Sequence, residues 1–225
     1  MVQIFFRSKL RPGPESRLVS RFASSLPEPQ SDVRRTVFVE QRIGSTRPDL
    51  VIIDWDPGVS AAWPLDRRHL EVRDLRIAQL LYTQGTISEE KLRFYCPRGL
   101  APALERLTTA GLVTQDGCLW SLQELYGIFA VRRLIAVEAK VKDLSKALQQ
   151  AFYNTWFASE SYILTAGRAI SEDFRNKAQA RGVGLWFLER HASPVQWEGS
   201  HQSLPQSHVS WVFNELCWRT SLEII

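Results

Sequence analysis

Apolar residues recur along this chain at two spacings. Between Pro14 and Ser25, Leu18, Val19 and Phe22 fall at helical intervals and Pro14 suits a first turn, which predicts a helix. Residues 26–34 are rich in Pro and Ser and read as a loop. Two apolar runs follow, Thr36–Ile43 and Pro48–Asp54, parted by Gly44-Ser45; they read as strands of a hairpin. From Asp54 to Pro64 the Pro and Gly content is that of a linker.

Residues 72–122 follow a pattern of their own. Leu75, Ile77, Leu80 and Leu81 mark a helix that Gly85 ends, and Ser88 caps a second one, Glu89–Tyr95, with two acids in its first turn. A third carries Leu100, Leu104 and Leu107 and stops at Ala110-Gly111. Leu112-Val113 and Leu119–Leu122 flank Asp116-Gly117, a hairpin signal. Beyond them, Leu134–Val141 predicts a strand, Asp143 caps a helix from Leu144 to about Ala158, and Tyr162–Thr165 is a strand. Ser171–Arg181 is then a helix, Val183–Leu188 a strand, and 190–208 an irregular polar loop. A last short helix holds Val212, Phe213, Leu216 and Trp218.

With the middle segment set aside, the order is helix, three strands, helix, strand, helix, strand. Helices between strands imply crossovers, hence an α/β fold with a mixed sheet and helices on its faces. Residues 1–61 and 129–225 are expected to form two parts of one core, and 62–128 a small inserted domain.

Composition narrows the classes of function. Net charge is +4 and the pI about 9.1, a mild basic balance compatible with nucleic acid. Cys96, Cys118 and Cys217 are far apart, so neither a zinc site nor a disulfide framework is supported. His69, His191, His201 and His208 lack metal-ligand spacing and read as surface residues. The N-terminus is too poor in apolar residues for a signal peptide, and no apolar run approaches the ~20 residues of a membrane span. The expectation is a cytoplasmic protein with no membrane partner.

Charge on the apolar strands changes the picture most. Asp49 opens one, in Arg-Pro-Asp-Leu-Val-Ile-Ile, and Glu138 and Lys140 sit within another, Ile-Ala-Val-Glu-Ala-Lys-Val. Charges in such a setting need partners. Alternation puts Glu138 and Lys140 on one face of their strand, and Asp49 can lie beside Glu138 if the two strands pair. Two carboxylates brought together repel, and a cation between them resolves the repulsion.

Pro-Asp, Glu-x-Lys and the leading αβββαβ order together resemble the PD-(D/E)xK, or restriction-endonuclease-like, nuclease superfamily. The helices and hairpin of 72–122, above all Ala103–Val113, closely resemble a winged helix-turn-helix. The first resemblance implies a metal-dependent DNA endonuclease hydrolysing the DNA backbone. Asp49, Glu138 and the backbone carbonyl of Ala139 would hold Mg2+ (or Mn2+), and Lys140 would be the catalytic amine. Gln150 joins the catalytic set, because many members carry Gln-Ala-x-x-Tyr at that place. Glu40 and Glu15 match acidic positions that some members use as further ligands. Lys146 and Tyr153 share a helix face with Gln150 and are read as DNA contacts.

Arg98 and Arg106, before and on the third helix of the winged segment, are read as DNA contacts too. Residues 66–124 hold eight basic and eight acidic side chains, so the segment offers no net attraction to phosphate. The expected partner is duplex or branched DNA, with a homodimer or partner proteins of a larger system as further possibilities. The alternatives are a DNA-binding or regulatory protein that keeps the nuclease-like scaffold without catalysis, and a protein-interaction component docked through the winged helix.

Overall fold

The computed structural model describes residues 2–6, 12–42, 47–166, 170–188 and 195–223. In chain order its elements are β1 (Val2–Phe6), α1 (Pro14–Ser24), β2 (Arg34–Val39), β3 (Leu50–Trp55), α2 (Pro57–Ser60), α3 (Val72–Gln84), β4 (Ile87–Ser88), α4 (Glu89–Tyr95), α5 (Leu100–Thr109), β5 (Val113–Asp116) and β6 (Leu119–Leu122). Then come α6 (Leu125–Ile128), β7 (Val131–Ala139), α7 (Leu144–Asn154), β8 (Glu160–Thr165), α8 (Glu172–Ala180), β9 (Val183–Phe187), β10 (Val195–Trp197) and α9 (His208–Leu222). Two units result: Met1–Trp55 with Arg132–Gln206, and Asp56–Val131 with Ser207–Ile225.

The first unit is α/β. Its sheet runs β1-β2-β3-β7-β8-β9-β10. The pairs β1/β2, β7/β8 and β8/β9 are parallel, while β2/β3 and β9/β10 are antiparallel, so the sheet is mixed. Strand alternation divides the apolar residues between two faces. One takes Val37, Val39, Leu50, Ile52, Val137, Leu164 and Trp186 and is covered by Leu18, Val19, Phe22 and Ala23 of α1. The other takes Ile163, Leu185 and Phe187 and is covered by Ala147, Leu148 and Ala151 of α7 and Ala178 of α8. Each large apolar side chain buried this way contributes about 1.5–3 kcal/mol. The segments between β7 and β8 and between β8 and β9 are helical because parallel neighbours need crossovers. The expected end of the first hairpin strand at Ile43 and its turn Gly44-Ser45 lie outside the described residues.

The second unit places α3, α4 and α5 with an antiparallel three-stranded sheet, order β4-β6-β5. Ser88 Oγ caps α4 through the amide of Lys91, and Gly99 takes the left-handed conformation (φ 68°) that precedes α5.

Here the domain division expected from sequence needs correction. Residues 129–225 do not all belong with the first unit, because α9 packs on α3 in the second. The reason lies in polar groups that the helix satisfies. Arg67 is fully buried, and Glu215 meets its guanidinium at 2.8 and 2.7 Å. Asn214 Oδ1 accepts the N–H groups of Ala130 and Val131 at 2.7 and 3.3 Å. Without α9 the two amides would be orphaned and Arg67 would keep only the Ile128 carbonyl among the described acceptors, at about 1–3 kcal/mol for each lost partner and more for the charge. No helix among the described residues is long and apolar enough to cross a membrane.

Candidate functional site

The start of β3 lies beside the end of β7, and the charged residues of both strands meet there. The Asp49 carboxylate accepts the backbone N–H of Ala139, Oδ2 to N 2.7 Å. Glu40 is drawn to the same corner because its N–H donates to the Asp49 carbonyl, extending the β2–β3 hairpin by one bond. Glu40 itself turns left-handed (φ 53°), an unusual conformation for a residue with a side chain, and its carboxylate pairs with Arg47.

Glu138 points to the α7 side of the sheet, in register with Ile163 of β8, and is 4% exposed. Asn154, the last residue of α7, donates to it from Nδ2 at 2.8 Å. Lys140 follows the strand, and its Nζ lies 2.9 Å from Oε2 of Glu15 in the first turn of α1. Asp49, Glu138, Lys140 and Glu15 thus form one electrostatic group, with Glu40 at its edge.

The two carboxylates differ from an ordinary ion-paired acid. Burial pushes the Glu138 carboxyl up to about 8, and the charge of Asp49 adds to this; the Asn154 bond and Lys140 oppose it only in part. Burial likewise raises Asp49, against the opposing pull of the Ala139 amide and Lys140. For Lys140, burial works against the ammonium, but the hydrogen bond to Glu15 and the carboxylates of Glu15, Asp49 and Glu138 outweigh it. Its pKa stands above the usual lysine value, so Lys140 is a cation at neutral pH. Glu160, another buried acid, shows the contrast. Burial would raise it, yet the Arg133 fork and the Tyr162 hydroxyl, 2.9 Å away, bring it below its ordinary value. Glu160 is satisfied by cations and donors, whereas the donors and the cation beside Asp49 and Glu138 offset their burial only in part.

Gln150 lies one turn before Asn154 on the same side of α7, and its buried Oε1 has no hydrogen-bond partner among the described residues. Asp49 and Glu138 resist ionising together, and their carboxylate oxygens are the donor type a hard divalent cation takes. Among the described residues no cluster of three or more His, Cys, Asp or Glu side chains is arranged to hold a metal. A cation here would therefore rely on Asp49 and Glu138 with neutral oxygens.

The other expected residues are distributed as follows. Glu15 and Glu40 reach the site, each already engaged by a cation. Lys146 and Tyr153 are exposed on α7, while Gln150 turns inward, so the three do not form one polar stripe. Arg98 is exposed ahead of α5. Arg106 is committed within its own unit. Its Nε and Nη2 both lie 2.8 Å from the carboxylate of Asp74, which is 0% exposed. This removes Arg106 from the cations offered to DNA, since breaking the pair would leave a buried charge. Asn154 is the site residue that sequence reasoning passed over. Its signal was a polar side chain in the otherwise apolar series Ala147, Leu148, Ala151, Asn154.

Comparison of the chain with protein-family models, with curated proteins and with solved structures finds no match.

Proposed function

We propose that this protein is a divalent-metal-dependent DNA phosphodiesterase of the restriction-endonuclease-like type, with a winged helix as its second unit. The observation that carries the reading is the meeting of Asp49, Glu138 and Lys140 where β3 begins and β7 ends, with both acids raised by burial. Asp49 and Glu138, with Gln150 Oε1 and the Ala139 carbonyl as neutral donors, would hold Mg2+ or Mn2+. Bound there, the cation would screen the two carboxylates, offset phosphate charge and make water more acidic.

The chain's own groups supply the rest. Lys140, held as an ammonium by Glu15, stabilises charge gathering on the phosphoryl oxygens. It serves as an electrostatic group rather than a base, because its proton is retained at neutral pH. Asn154 fixes one Glu138 oxygen by its hydrogen bond. The Ala139 amide does the same for Asp49.

Nicking of supercoiled plasmid in magnesium tests this. Asp49→Ala, Glu138→Ala and Lys140→Ala should each reduce it by at least a hundredfold with circular dichroism unchanged. Wild-type rates in any of the three sink the assignment.

One observation favours a second reading for the second unit, as a protein-docking module rather than a DNA reader. Arg106 is tied to Asp74, while Phe94 at the end of α4 is 82% exposed with Tyr95 against its ring. Aromatic side chains are enriched at protein interfaces, and this pair suits such a contact better than a phosphate backbone.

A further inference from the structure

A groove of about 770 Å³ runs between α7 and α8 in the first unit. Its α7 wall is the solvent side of the helix whose inner side carries Gln150 and Asn154. Two rings stand open there: Phe152 is 45% and Tyr153 56% exposed, with centroids 6.4 Å apart. The α8 wall adds Phe174, Lys177 and, one residue past the helix, Arg181. Lys177 is matched by Asp173 at 2.7 Å. Arg181 makes no ion pair among the described residues; its guanidinium lies 5.9 Å from the centre of the Phe152 ring. Among the described residues Gln149 reaches only the Tyr153 hydroxyl, at a long 3.4 Å, so its amide is available to a ligand.

The chemistry selects the occupant. Rings half out of water gain little from the core, and these two, tilted 42° to each other, each present a face on which a base can stack. An unpaired guanidinium beside them supplies the charge a phosphate needs. The amide offers both a donor and an acceptor to a base edge. The volume falls within the roughly 300–1,000 Å³ of ligand pockets.

We propose that the α7–α8 groove holds unpaired nucleotides of single-stranded DNA, neighbouring bases stacked on Phe152 and on Tyr153 and a phosphate met by Arg181. The choice of DNA over another flat anion rests on the phosphodiesterase reading. The inference adds that the substrate presents a single-stranded stretch.

The test uses the full chain in EDTA, so that binding is read without hydrolysis. The probe is a thymidine dodecamer with 2-aminopurine at its centre, alone and annealed to its complement. The single strand should bind with its fluorescence quenched, and the duplex should bind at least tenfold more weakly. Phe152→Ala, Tyr153→Ala and Arg181→Ala should each weaken single-strand binding about fivefold or more, and Tyr153→Phe should restore it. No binding by wild type, equal affinity for the duplex, or ring variants that bind undiminished would each overturn the proposal. Failure of the two readings is separable. If the strand binds as described but wild type never nicks DNA in magnesium, the groove stands and the hydrolase falls. If wild type nicks DNA while the ring variants bind unchanged, the groove falls alone.

Discussion

Glu138 holds its proton more tightly in the folded chain than in the unfolded one, and stability must follow that difference. Its carboxyl rises from 4.5 to about 8 through burial and the neighbouring charge of Asp49. The folded state therefore gains most from this group below pH 4.5, and the gain is lost as pH rises through about 8. Denaturant unfolding in EDTA should show metal-free protein losing stability between about pH 5 and pH 9, and Glu138→Gln should flatten that loss. Equal slopes for the two proteins would mean that Glu138 ionises freely. Asp49, Glu138 and Lys140 were legible in the sequence because charge interrupts apolar strands, which is a local signal. The tie from Asn154 was not, because its partner is known only once α7 lies over β7. Arg106 misled for a related reason: an arginine on a helix looks free until the carboxylate beneath it, Asp74, is placed.

At the scale of elements, β8 and β9 depend on a missing side chain. Tyr162 and Gly184 pair in register, and the Tyr162 ring stacks on Trp186 at 4.2 Å. A Cβ at Gly184 would lie 2.2 Å from Tyr162 Cε1. Gly184→Ala should thus force the ring off its stack and cost about 1–3 kcal/mol. Thermal unfolding should register a fall of ~2–4 °C for each kcal/mol; an unchanged midpoint would show that the strands part easily. The helices and inner strands followed from apolar spacing, with caps at Ser88, Asp143 and Ser171 seen where expected. The outer strands did not. β1 is only partly buried and lacks clean alternation, and β10 is three residues long, so neither carries enough pattern to be read. The end of α9 was legible as a helix, but which unit it joins is set by Arg67, which is remote in sequence.

For the whole molecule, the two units divide the chain into four stretches, and this decides which shortened proteins can fold. Replacing 56–131 by a short linker should be tolerated at the joint, since Asp56 N–H bonds the Ala130 carbonyl at 2.9 Å and the ends are adjacent. A version that also stops at Gln206 should unfold cooperatively as a free first unit. One that keeps 207–225 should aggregate, because Val209, Trp211, Phe213 and Trp218 would lose their cover. Size-exclusion chromatography of the pair checks this, and two equally monodisperse products would show that α9 is dispensable to the second unit. The same arrangement bears on how the protein is made. Arg67 leaves the ribosome 148 residues ahead of Glu215. At about 5–20 residues per second, its guanidinium waits on the order of ten seconds for the carboxylate that will neutralise it. During that interval the second unit is translated but unfinished, and the first completes before it. The order of maturation is thus written into the thread of the chain: the part begun second is also the part that closes last.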